Sequence, residues 1–135
     1  MQNPDLAADY VRRAEVRLAT LDVLSEAESW ADVVREAQEI VELALKGLLR
    51  SCGIDPPRIH DVSDVLLAER ERLPAAVRES LEELTEVSRQ LRRDRELAFY
   101  GAEDLTPTGF YSREDARRAQ EGARTVVRVV RPHVA

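Results

Sequence analysis

The stretch "AQEIVELALKGLLRSCG", residues 37–53, decides the fold. Ile40, Val41, Ala44, Leu45, Leu48 and Leu49 recur at steps of one, three and four, the period of a helix and not of a strand. Traced back through Val33, Val34 and Ala37, the apolar stripe is wide, which predicts burial against more than one neighbour. The helix is expected over residues 30–52. Ser29 stands at its N-cap, with Asp32 three residues on as a variant capping box. Gly53 is expected at C′. In the following "IDPPRIHD", Pro56 and Pro57 forbid further helix and make a loop.

The same reading extends outward. Leu6, Tyr10, Ala14, Leu18 and Leu21 recur at steps of three and four, which predicts a first helix over residues 5–27 with one buried face. A short third helix is expected over residues 61–70. Pro74 suits the first turn of a fourth helix, which carries Val77, Leu81, Leu84, Val87, Leu91 and Ala98 to Gly101. The segment "AEDLTPTGFY" reads as irregular. Ser112 then caps a fifth helix carrying Ala116, Ala119, Ala123, Val126, Val127 and Val130, which Pro132 stops. Few glycines and prolines, with Ala, Leu, Glu and Arg dominant, agree with this pattern. The expected fold is all-α: an up-and-down antiparallel helical bundle of four main helices plus one short helix, in a single domain over residues 1–135.

Composition excludes several function classes. The net charge of −6 argues against coating duplex nucleic acid through bulk positive charge. A local patch can still bind phosphate, and of the 20 basic side chains only Lys46 is lysine. Arginine forks suit phosphate, although a general arginine bias explains the same count. No apolar run spans a membrane. The opening "MQNPDLAADY" has no basic region followed by an apolar one, so no export signal is expected. The single cysteine, Cys52, cannot form an intrachain disulfide, and a cytoplasmic location is expected. With two histidines and no CxxC, neither a metal site nor a catalytic triad is expected. Phosphate-cradling glycine loops are absent too, and no cofactor is expected.

"RRDRELAFYG", residues 92–101, is the strongest local feature. Four arginines face one aspartate between Arg89 and Arg95. One reading is electrostatic, with cations complementing the helix C-terminus. The other is an arginine pair, Arg92 and Arg95, holding a phosphate beside Tyr100. Lys46 follows Glu42 by four residues, as in an ordinary helical ion pair. His60 precedes Asp61, either as a hydrogen-bonded residue at a helix start or as a general base. Phe99, Tyr100, Phe110 and Tyr111 read either as exposed aromatics, which are enriched at interface cores, or as rings packed under their own loop.

Taken in order, "AADYVRRAEVRLATLDVL", "AQEIVELALKGLLRSCGIDPPRIHDVSDVL", "LRRDRELAFYG" and "YSREDARRAQEGARTVV" resemble the HEPN family of small prokaryotic helical proteins. The centre of the resemblance is "QEIVELALKGLL", then a Gly-x-x-Pro-Pro loop and "HD". It implies a homodimeric bundle with a nucleotide- or RNA-linked role. It also implies partnership with a minimal nucleotidyltransferase in a two-gene toxin–antitoxin module.

Family members with ribonuclease activity carry Arg, four to six residues, then His at the end of this same helix. Here that window after Arg95 holds Tyr100, Gly101 and Ala102, and after Arg92 and Arg93 it holds Leu97, Ala98, Phe99 and Tyr100. Metal-free RNA cleavage needs a base titrating near working pH, and tyrosine, at about 10, is poorly suited. The expectation is therefore a non-catalytic protein that binds a phosphate-bearing ligand or a nucleotidyltransferase through Arg92, Arg95 and Tyr100. Two rivals stand beside it. One is a metal-independent ribonuclease toxin using Arg95 with Tyr100 or His60, and the other is a structural dimerisation module without ligand.

Overall fold

The computed structural model describes the backbone of residues 4–100 and 106–134, with side chains at residues 5–92, 106 and 108–134. Four long helices form the frame: α1 (Pro4–Glu26), α2 (Trp30–Ser51), α5 (Leu81–Tyr100) and α7 (Arg113–Val130). Three short ones, α3 (Ser63–Ala68), α4 (Ala75–Glu79) and α6 (Pro107–Phe110), lie in the connections. No strand occurs among the described residues, and no helix there is long and apolar enough to cross a membrane. The all-α bundle is the fold that the periodicity predicts.

Side-chain contacts fix the directions. Ala7 and Val11 of α1 meet α2 at Gly47, and Arg17 further along meets Glu36 and Glu39. These two helices are therefore antiparallel. Glu15 pairs with Arg131 and Asp22 with Arg124, so α7 also runs against α1. Val87 of α5 touches Gly122 of α7, and Leu91 shares a cleft with Asp115 and Ala119, so α5 and α7 are antiparallel as well. Thus α1 and α5 point one way, and α2 and α7 the other. Helix α2 packs against all three other long helices. Its stripe accordingly buries twelve residues, with Val33, Ile40, Leu45, Leu48 and Leu49 fully enclosed.

The details depart from expectation in six places, one being the helical turn α6 inside the segment read as irregular. The buried face of α1 is Ala7, Val11, Ala14 and Leu21, while Leu6 and Tyr10 are only half-buried. The cause is Gly47: α1 presses its backbone and small side chains against the bare glycine, which turns Tyr10 outward beneath the Arg50 guanidinium, 5.5 Å away. Ser29 does stand before α2, but its hydroxyl donates to Asp32 Oδ2 at 2.6 Å and caps no backbone amide. The expected third helix shortens to α3 and continues as a 3₁₀ turn, Arg70–Arg72. The helix after Pro74 is interrupted at Ser80, whose amide bonds back three residues to Val77, a tightened turn. Pro132 sits inside a final 3₁₀ turn, Arg131–His133, and does not stop the chain's helical winding outright. The expected end at Gly101 lies outside the described residues.

Two ends follow the sequence closely. Gly53 has φ +78°, and its amide bonds to Arg50 O while that of Ile54 bonds to Leu49 O, a Schellman motif with Ile54 buried. Arg72 reinforces this end by donating to the carbonyls of Cys52 and Gly53. Before α7, Ser112 Oγ accepts from the Asp115 amide and Asp115 accepts from the Ser112 amide, a full capping box. Ser112→Ala should therefore lower the stability by about 1 kcal/mol, seen as an earlier urea midpoint with an unchanged slope. An unshifted midpoint would show that the cap contributes nothing.

Candidate functional site

The loop that leaves α2 returns to the bundle at two adjacent residues, His60 and Asp61. His60 Nδ1 lies 3.0 Å from Glu42 Oε2 on α2. The same carboxylate accepts from Lys46 Nζ at 2.9 Å and from Gln38 Nε2 at 3.3 Å. Burial pushes the Glu42 carboxyl up, but the hydrogen bonds from His60 and Lys46 outweigh it and hold the group below the usual range. An ionised carboxylate only accepts, so the hydrogen of this bond sits on His60 Nδ1.

Asp61 reaches the other way, to α5. Its Oδ1 accepts from Ser88 Oγ at 2.8 Å and from the Ser63 amide at 2.9 Å. Burial again pushes the carboxyl up, and the bonds from Ser63 and Ser88 override it, leaving Asp61 below its ordinary value. Arg89 completes the link by donating to Ser63 Oγ at 3.0 Å and to Asp64 at 3.2 Å. Ser63 and Ser88 are buried, so these bonds satisfy groups that would otherwise be costly to enclose. The dipeptide thus straps α2 to α5 and sets the rotation of α5 one turn before Arg92.

Of the residues singled out in the sequence, Lys46 and His60 converge on Glu42. Lys46 makes the helical ion pair that its spacing predicts. Arg92 is half-buried on α5, and among the described residues no carboxylate pairs with it. No hydrogen bond or ion pair among the described residues joins it to Lys46 or His60. The backbone of α5 runs through Arg95 to Tyr100, whose side chains lie outside the described residues, as does that of Phe99. The two readings of the aromatics divide: Phe110 is exposed and Tyr111 is buried, with the two rings edge to face at 4.9 Å. Asp61, Ser63, Ser88 and the tethering of Arg89 are additions that spacing alone did not give. The one signal for them was an acidic residue beside His60 at a helix start.

The HEPN domain family model matches residues 7–133, nearly the whole chain. This chain belongs to the HEPN domain family. The resemblance carried by "QEIVELALKGLL", the double-proline loop and "HD" is therefore the right one, and the strap is how this HEPN domain uses those residues. Membership supports a nucleotide- or RNA-related role at the level of the family. No curated protein and no solved structure shows a significant match.

Proposed function

We propose that this HEPN domain is a non-catalytic binding protein that takes a phosphate-bearing ligand, a nucleotide or a short RNA, at Arg92, Arg95 and Tyr100. The observation that carries the reading is the anchoring of α5: Asp61 and Ser63 hold Ser88 and Arg89 one turn before Arg92. A binding arginine gains from such a support, because a preorganised guanidinium loses less freedom on bonding. Charge-assisted bonds from two guanidinium forks are about twice as strong as neutral ones. The chain acts as one domain and as a cytoplasmic homodimer, with the two "RRDRELAFYG" segments beside a shared groove. In a toxin–antitoxin-like module the same groove takes a minimal nucleotidyltransferase.

Cleavage is not part of this reading, because the position of the family's base holds no histidine. His60 bonds Glu42 on α2, and among the described residues no hydrogen bond or ion pair joins it to Arg92, so it is not assembled with that arginine. The test pairs wild type and Arg95→Ala with a labelled short RNA. Wild type should bind in a salt-sensitive way, being screened over roughly 8 Å at physiological ionic strength, and should leave the RNA intact. Arg95→Ala should lose binding with an unchanged helical signal. Efficient cleavage by wild type would favour the ribonuclease, and equal binding by both proteins would remove Arg95 from the site.

A further inference from the structure

The outer wall of α5 carries opposite charge at its beginning. Glu82, Glu83 and Glu86 are exposed, and among the described residues none of their carboxylates is hydrogen-bonded or ion-paired. On α7 the matching carboxylates are all engaged: Glu114 and Glu121 by Arg117, and Asp115 by Arg118. Arg89 lines the same surface as Glu82 and Glu86 but reaches Asp64 and Ser63 instead, which leaves the three carboxylates without an ion pair among the described residues.

A cleft of about 480 Å³ opens beside them between α5 and α7, with Glu83 and Glu86 at its lip. Its floor is apolar, formed by Val34, Val87, Leu91, Tyr111 and Ala119. Helix α7 lines it with the small residues Ala119 and Gly122 and with Asp115 and Arg118, whose charges are paired with each other, so the net charge of the lining rests on Glu83 and Glu86. At Gly122 the helices close to contact, since a Cβ there would stand 3.1 Å from Val87 Cγ1. The volume lies in the range of binding sites, roughly 300–1,000 Å³.

We propose that this cleft docks a cationic amphipathic helix of a partner protein. The lip carboxylates repel phosphate, so nucleic acid is the wrong occupant, and the sign of the partner is opposite to that of the ligand at the arginine end. The lining repeats at steps of three and four on both walls, from Glu83 to Leu91 and from Asp115 to Gly122. That is a trough about two helical turns long, the shape that receives residues spaced i, i+3, i+4 and i+7 on a partner helix. Apolar side chains seat on Val87, Leu91 and Ala119, while arginine or lysine flanking them pairs with Glu82, Glu83 and Glu86.

The probe is a dye-labelled synthetic helix of leucine and arginine, titrated into the full chain at low and at physiological salt. Saturable binding is expected, and Glu83→Lys/Glu86→Lys should weaken it about tenfold or more, since attraction becomes repulsion. Asp9→Lys/Glu26→Lys on exposed positions of α1 makes the same change of net charge and should weaken it far less. Ala119→Leu, checked for an unchanged helical signal, should also weaken binding by filling the floor. Equal loss in the two charge doubles, or no loss in a folded Ala119→Leu, would overturn the proposal. So would a fall in molecular mass of Glu83→Lys/Glu86→Lys by light scattering, because the occupant would then be a second copy of this chain. Binding of RNA at the arginine end should survive Glu83→Lys/Glu86→Lys, so the two sites fail independently.

Discussion

Gly47→Leu should unfold at a much lower urea concentration than wild type. A Cβ at this position would lie 2.7 Å from Val11 Cγ2, 3.1 Å from the Ala7 carbonyl oxygen and 3.2 Å from Tyr10 Cβ. One of these neighbours is backbone, so side-chain rotation alone cannot make room. Overpacking of this kind costs about 1–3 kcal/mol for a few added atoms, and leucine adds three carbons beyond the Cβ. Removing a mid-helix glycine returns only about 0.5–1 kcal/mol. The net cost is a substantial share of an ordinary domain's stability of about 5–15 kcal/mol, so the urea midpoint should fall well below that of wild type. Circular dichroism at increasing urea measures it. Gly122→Ala serves as comparison, since the added carbon there meets only the methyls of Val87, at 3.1 and 3.4 Å, and should shift the midpoint much less. If Gly47→Leu unfolds at the wild-type midpoint, α1 does not cross α2 at this residue.

Asp61→Ala should cost about 2–3 kcal/mol. It removes a charged acceptor that serves the Ser88 hydroxyl and the Ser63 amide, and bonds to charged groups contribute about 1.5–3 kcal/mol net. Ser88 stays buried without that acceptor. The pH dependence has a definite sign. Asp61 and Glu42 both titrate below their ordinary range when folded. Their contribution is therefore complete above the unfolded values and is lost as the pH falls through the folded ones. Wild type should weaken progressively below about pH 4. Asp61→Ala, already without half of the strap, should lose less over the same interval. An Asp61→Ala protein that matches wild type at pH 7 and parallels it in acid would show that the strap is not stabilising.

The fold was legible because its main signal is periodic. A stripe as wide as that of α2 has no other reading than a helix with several neighbours, and Gly53 and Ser112 mark ends by local backbone rules that need no tertiary information. The same local logic gave the Glu42–Lys46 pair. What it could not give were contacts whose partners are remote in sequence. His60 meets Glu42 across 18 residues and Asp61 meets Ser88 across 27. The rotation of α1 was misread for a related reason, because Leu6 and Tyr10 look like core residues until Gly47 is known to sit opposite. Nothing local in the sequence separates Tyr111, which is buried, from Phe110, which is exposed. At the candidate site the arginines and the missing histidine could be read directly, whereas the support beneath them could not.

The strap also says where the loop between α2 and α3 is free to change over evolutionary time. Gly53 is held by its own left-handed turn and by Arg72, and His60–Asp61 by the two helices that they join. Between these fixed points Asp55, Arg58 and Ile59 are exposed. Closing a longer loop costs only about 0.6 kcal/mol for each doubling of its length. Insertions there would be nearly neutral, while a one-residue shift of the dipeptide against α3 would detach both helices at once. Drift in length should therefore collect between the prolines and His60, leaving the two anchors in register.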